Sequence, residues 1–280
     1  MRNVNNFIRR KLYLVNRLIS QTMDYNLKII RSGSMIEIYY YNNYVVKSTK
    51  VKSNNSITSS KDNKEHCRKY YLSTIRSNII RIVNCNANAF KSFITLTYSF
   101  NVSEEDNSKY LNLFFTKLRR KYKNLSYIWC LERTKKGRIH IHMLTNIEFK
   151  YCNTSSNKRK SNAHKSEENE FENTYWKYDG KVLGFLDIRS IEDSVKYAKY
   201  IVKYMTKDNN DIVSTNKHIW GCSKNLSKPY KEVFLTKQTL EEVIQNFKDF
   251  KIEYSSNYNI EIAYDSEVVV SYFNINMERK

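Results

Sequence analysis

The sequence predicts an α+β fold class, in which strands and helices are interspersed and at least one hairpin is antiparallel. Three stretches carry that expectation. Gly137-Arg-Ile-His-Ile-His-Met-Leu144 alternates strictly. It puts Ile139, Ile141 and Met143 on one face of a strand, and Arg138, His140, His142 and Leu144 on the other. Lys91–Phe100 is β-branched and aromatic, with Phe93, Thr95 and Thr97 on one face and Ile94, Leu96 and Tyr98 on the other. Tyr127–Glu132 is a further strand. A short basic turn, Arg133–Gly137, returns it straight into the histidine strand, so Glu132 and His140 flank the hairpin turn.

The remaining elements follow from spacing and composition. Residues 1–35 are basic and mixed, with a short helix expected over Phe7–Ile19 from Ile8, Leu12, Val15 and Leu18. Residues 36–48 read as two short strands about an Asn42-Asn43 turn. Residues 49–64 have little apolar content and read as a linker. Tyr71, Leu72, Ile75, Ile79 and Ile82 repeat at helical spacing, which predicts a helix over 65–84. Ser103-Glu-Glu-Asp106 has the form of a capping box. The helix behind it should bury Leu111, Phe114, Phe115, Leu118 and Tyr122, with acids at its start and bases at its end. Residues 150–180 read as a surface insertion, partly disordered. Lys181–Arg189 reads as a strand, Glu192–Lys207 as a helix and 216–230 as a loop. Thr236–Phe247 reads as an amphipathic helix, and 251–275 as two or three strands of a small closing sheet.

Composition narrows the class of partner. Lys and Arg exceed Asp and Glu by 48 to 28, a net charge of +20 that favours a polyanion, and nucleic acid is the usual one. No apolar run reaches the ~18 residues of a bilayer span, so no membrane partner is expected. The first residues lack the pattern of a secretory signal. Five cysteines, odd in number and without a C-x-x-C pair, favour free thiols in a reducing intracellular compartment. The chain is poor in Gly and Pro and rich in Asn, Lys, Ile and Tyr, which suggests an AT-rich coding genome.

Two features bear on chemistry. His140 and His142 share a strand face and can reach one divalent cation together, although the same spacing suits an ordinary solvent-side pair. Val195–Lys207 divides into three stripes at ~100° per residue. Ala198, Ile201, Val202 and Met205 form an apolar face. Tyr197, Tyr200 and Tyr204 form a second stripe, and Lys196, Lys199, Lys203 and Lys207 a third. Such a helix suits a core element with a solvated basic flank. It also suits phosphoryl chemistry, in which a tyrosine hydroxyl attacks a metal-polarised phosphate and neighbouring lysines neutralise the developing charge.

Taken in order, these motifs resemble the HUH-endonuclease superfamily, and within it the rolling-circle replication initiators of small phages and plasmids. Phe93-Ile-Thr-Leu-Thr-Tyr98 resembles the first motif and Gly137-Arg-Ile-His-Ile-His142 the second. Tyr200-Ile-Val-Lys-Tyr204-Met-Thr-Lys207 resembles the third in its two-tyrosine form. Trp220-Gly-Cys-Ser-Lys-Asn-Leu226 resembles a segment that follows the tyrosine helix in phage-type members. The resemblance covers roughly residues 90–230.

The resemblance implies a central antiparallel sheet flanked by helices, RRM-like or palm-like, with the histidine strand central. It implies Mg²⁺ or Mn²⁺ on His140 and His142, completed by Glu132 across the hairpin. It implies that Tyr200 or Tyr204 attacks single-stranded origin DNA, giving a 5′-phosphotyrosine and a free 3′-OH, with Lys203 and Lys207 assisting. Lys196, Lys199, Arg138 and Tyr197 are left as DNA contacts, Tyr197 being open to a structural role instead. Host DNA polymerase and a helicase would be partners, since the chain has no P-loop of its own. The host compartment would be a bacterial cytoplasm or an AT-rich organelle carrying a plasmid. The corresponding division is a basic region at 1–88, a nicking and joining domain at 89–230, and a helix with strands at 231–280. Two other readings stay open: a single-tyrosine HUH transposase, and a non-catalytic single-stranded nucleic-acid-binding protein that uses the 23 tyrosines for base stacking.

Overall fold

A computed structural model describes residues 24–46, 61–133, 137–149, 175–178, 181–204, 219–262 and 266–279. The chain forms two compact units, one from Met1–Thr58 with Lys228–Lys280 and the other from Ser59–Ser227. Both are antiparallel sheets with helices, so the α+β class holds.

The unit Ser59–Ser227 is built on a six-stranded sheet. Its strands are β3 (Ser92–Tyr98), β4 (Tyr127–Arg133), β5 (Ile139–Thr145), β6 (Tyr175–Tyr178), β7 (Lys181–Ser190) and β8 (Trp220–Cys222). They lie in the order β6-β7-β3-β5-β4-β8, which makes the histidine strand β5 an interior strand. Three helices belong to this unit: α1 (Lys61–Cys85), α2 (Glu104–Lys121) and α3 (Ser194–Tyr204). Leu72, Ile75, Ile79, Ile82 and Val83 form the buried stripe of α1, as their spacing predicts. Ser103 caps α2 by accepting from the Asp106 N–H at 3.0 Å. α2 lies on one face of the sheet, where Phe115 stacks on Tyr127 with centroids 4.1 Å apart. That face also holds Ile139, Ile141 and Met143, each essentially inaccessible. α3 lies on the opposite face, against the histidine side of β5.

The other unit joins both ends of the described chain in a five-stranded sheet, ordered β10-β11-β2-β1-β9. Its strands are β1 (Asp24–Ser32), β2 (Met35–Val46), β9 (Tyr230–Phe234), β10 (Phe250–Ile262) and β11 (Ser266–Arg279). The short helix α4 (Leu240–Gln245) starts at a full capping box, Thr239 with Glu242. Val243 and Phe247 pack there against Leu27, Ile29, Ile36, Ile38 and Ile275.

Several elements fall differently from their sequence expectation. Residues 36–48 do not turn at Asn42-Asn43, because a single strand runs through that point to Val46. The Asn42 side chain accepts from the Val269 N–H at 2.9 Å, which ties that point to β11. The reversal comes earlier, at Gly33-Ser34, where Gly33 takes a φ of 63. Only a residue without Cβ adopts that backbone cheaply. Residues 216–230 are not all loop, because Trp220–Cys222 pairs with β4 and Tyr230 opens β9. Residues 175–178, at the end of the expected insertion, pair with β7. The closing sheet of 251–275 is continuous with the strands at 24–46.

The units also cut the chain elsewhere than at 88 and 230. The segment at 1–88 divides, because α1 belongs to the unit with the histidine strand while β1 and β2 hydrogen-bond to β9 and β11. The expected helix over Phe7–Ile19, residues 49–60 of the linker and 150–174 of the insertion lie outside the described residues.

Candidate active site

The site is assembled on the β4–β5 hairpin. Gly137, with a φ of 78, closes the turn, and its carbonyl accepts from the Arg133 guanidinium at 3.2 Å. In this register Glu132 lies directly opposite His140, and Cys130 opposite His142. Opposed residues of an antiparallel pair share a face, so Glu132, His140 and His142 project together. Strand β3 on the other side adds Thr97 opposite His140 and Thr95 opposite His142. Among the described residues, Glu132, His140 and His142 bring one ligand atom each within 4.8 Å of one another.

Both ring nitrogens of His142 are engaged. Nε2 lies 2.6 Å from Glu132 Oε2, and Nδ1 lies 3.2 Å from Thr95 Oγ1. His142 is buried, and Phe93 stacks parallel to its ring at 5.7 Å. Burial pushes the His140 imidazole below its ordinary value, and the neighbouring His142 and Arg138 add to that while Glu132 opposes it. A neutral imidazole is the form that ligates a metal.

The residues fit a divalent cation. Two imidazoles and a carboxylate are a mixed nitrogen and oxygen set, suited to Mn²⁺ and acceptable to Mg²⁺. A proton shared between His142 Nε2 and Glu132 occupies the position such a cation would take. With Nε2 given to a metal, Nδ1 carries the proton and Thr95 Oγ1 accepts it, which fixes the ring as an outer-shell partner does.

α3 brings a tyrosine to this face. The Tyr200 ring meets His142 edge-on, with centroids 6.3 Å apart at 83°, and meets Phe93 at 5.9 Å and 87°. Tyr200 is 45% exposed, so its hydroxyl end is open to a substrate. Tyr197 is less exposed and packs on Phe93 at 5.0 Å, which is a supporting role for its ring. Lys196 and Lys199 lie on α3 with Lys199 exposed, and Arg138 is exposed just before β5. The side chains of Lys203 and Tyr204, and all of Lys207, lie outside the described residues.

Two contributors escaped the sequence reading. Phe93 and Thr95 stood in the first motif without a role, and their face was known from alternation. The missing fact was that β3 lies beside β5, which turns that face toward the histidines. The Trp220–Leu226 segment proves to be a clamp. The Ser223 hydroxyl accepts from the Tyr127 N–H at 3.0 Å, and Asn225 Nδ2 donates to Leu125 O and Ser126 Oγ.

Residues 91–209 match a family model of replication-associated proteins, the ORF2 type. The matched span runs from β3 through α3 and so holds Thr95, Glu132, His140, His142 and Tyr200. It supports a replication-associated role and a replication-initiator family. Comparison with curated proteins and with solved structures gives no match.

Proposed function

We propose that this chain is a metal-dependent nickase of single-stranded origin DNA that initiates rolling-circle replication of a small phage or plasmid. The observation that carries the reading is the position of Tyr200. Its ring touches His142 on the same sheet face as His140 and Glu132. A nucleophile and a cation-binding group thus address one point of a substrate.

His140, His142 and Glu132 would hold Mg²⁺ or Mn²⁺, which supplies polarisation of the scissile phosphate. The Tyr200 hydroxyl attacks phosphorus, forming the tyrosine O–P bond as the P–O3′ bond breaks. The phenolic proton ends on the departing 3′ oxygen. The products are a 5′-phosphotyrosine and a free 3′-OH that a host polymerase can extend. One ester replaces another, so the linkage can be reversed without an energy source. Tyr204, one helical turn from Tyr200, makes the second attack that closes the circle. Lys203 and Lys207 offset charge developing on the phosphate, while Lys196, Lys199 and Arg138 hold the DNA backbone. A separate helicase unwinds the template. The free thiols of Cys85, Cys130 and Cys222 suit a reducing compartment.

The test is incubation of the full chain with Mn²⁺ and single-stranded oligonucleotides tiled across the DNA that encodes it. A covalent protein–DNA adduct that EDTA prevents is the expected result. Salt-sensitive binding without any adduct would leave a non-catalytic nucleic-acid-binding protein in its place.

A further inference from the structure

Phe185 stands in the same cross-strand row as the metal residues. In register, Phe185 opposes Thr97, Thr97 opposes His140, and His140 opposes Glu132. All four therefore project from one face. Phe185 is 51% exposed, although burial is the usual fate of a phenylalanine. Two interstrand spacings of ~4.8 Å put it about 10 Å from the His140 strand. That is the reach of the nucleotides that adjoin a phosphate seated at the triad. The intervening side chain is Thr97, too short to block a strand of DNA crossing from one to the other.

Charge does not explain what this edge offers. The nearest ionised groups on the same face of β7 are Asp187 and Arg189, and they neutralise each other at 2.9 Å. β7 therefore contributes an aromatic surface beside a neutral ion pair. A base is the part of a nucleic acid that such a surface binds, by stacking, and every base has a π-face.

We propose that Phe185 is a base-stacking platform that positions the nucleotide next to the scissile phosphate on the β7 side of the site. The inference rests on the nicking reading above and deepens it by assigning a position for the substrate's bases. Phe185 acts in positioning and touches no reacting atom.

Full-length protein is bound in EDTA to a single-stranded oligonucleotide carrying 5-iodouracil at successive positions and irradiated. Trypsin releases Val182–Arg189, in which Phe185 is the sole aromatic residue. A cross-link on that peptide is expected, and Phe185→Leu should lose it. Phe185→Leu should also bind the oligonucleotide roughly 5- to 100-fold more weakly, the range for loss of one stacking contact. Its salt dependence should match the wild type, since no phosphate contact is removed. Phe185→Trp should keep both affinity and cross-link, which separates stacking from a failure to fold. DNA binding with no cross-link on Val182–Arg189, or with unchanged affinity in Phe185→Leu, overturns the platform and leaves the nickase standing. Absence of any single-stranded DNA binding overturns both.

Discussion

Glu132 lies opposite His140 in the strand register, yet its carboxylate reaches diagonally to His142, with Oε2 and Nε2 2.6 Å apart. One acid thereby serves both imidazoles of the strand. Glu132→Ala should weaken Mn²⁺ binding by roughly tenfold or more in calorimetry and slow cleavage in parallel. Binding of single-stranded DNA in EDTA should stay within a factor of about two, because it rests on the basic surface. An unaltered Mn²⁺ affinity would remove Glu132 from the site.

Thr95 touches no substrate, but its hydroxyl holds His142 Nδ1. Thr95→Val keeps the shape and deletes that partner. Outer-shell losses of this kind cost about 10- to 100-fold in metal affinity. Thermal melting of the metal-free protein should change little, and added Mn²⁺ should raise the melting temperature of the wild type more than that of the variant.

The tyrosines separate a two-nucleophile mechanism from a single one. Tyr200→Phe and Tyr204→Phe should each still form some adduct, and each should lose strand joining. The double variant should be folded and inert. Mass spectrometry of the trapped peptide names the linked residue. If Tyr200→Phe loses all adduct while Tyr204→Phe cleaves and joins normally, Tyr200 acts alone, as a single-tyrosine transposase would.

His140 ties stability to pH in the metal-free protein. Its folded-state pKa is lowered from 6.5, chiefly by burial. The unfolded chain therefore takes up the proton first as pH falls below 6.5, and stability drops until the folded state is protonated too. Wild-type melting temperature in EDTA should fall between about pH 7 and pH 5. His140→Ala should fall by less over the same interval.

The clamp after β8 is a matter of stability and not of chemistry. Ser223→Ala leaves the buried Tyr127 N–H without the hydroxyl it donates to. An unpaired buried donor costs about 1–3 kcal/mol. Denaturant melts should show that loss, while adduct formation per folded molecule is unchanged.

Local signals were readable in the sequence where period and turn chemistry coincide. Alternation through Ile139, Ile141 and Met143 and the return at Gly137 set the hairpin, and with it the Glu132–His140 rung. Helical spacing put Tyr197 and Tyr200 on one stripe, and both meet Phe93. Pairings between distant segments were not readable. Nothing within residues 24–32 announces that they will bond to 230–234, and three residues at Trp220–Cys222 are too few to display a period. Gly33-Ser34 between alternating apolar residues was a legible hairpin signal, passed over in favour of Asn42-Asn43.

The five-stranded sheet has a consequence for how the protein is made. β1 and β2 leave the ribosome first, but β2 receives its second neighbour, β11, only after the whole unit that carries the histidines and Tyr200 has been translated. During that interval the early hairpin exposes an unpaired strand edge with Ile36 and Ile38 beside it, a template for wrong pairing with other nascent chains. The six-stranded unit has every one of its strands by Ser227 and can fold while the earlier hairpin waits. A message cut short before β11 would release a protein with the nicking residues in place beside an unfinished sheet prone to aggregate.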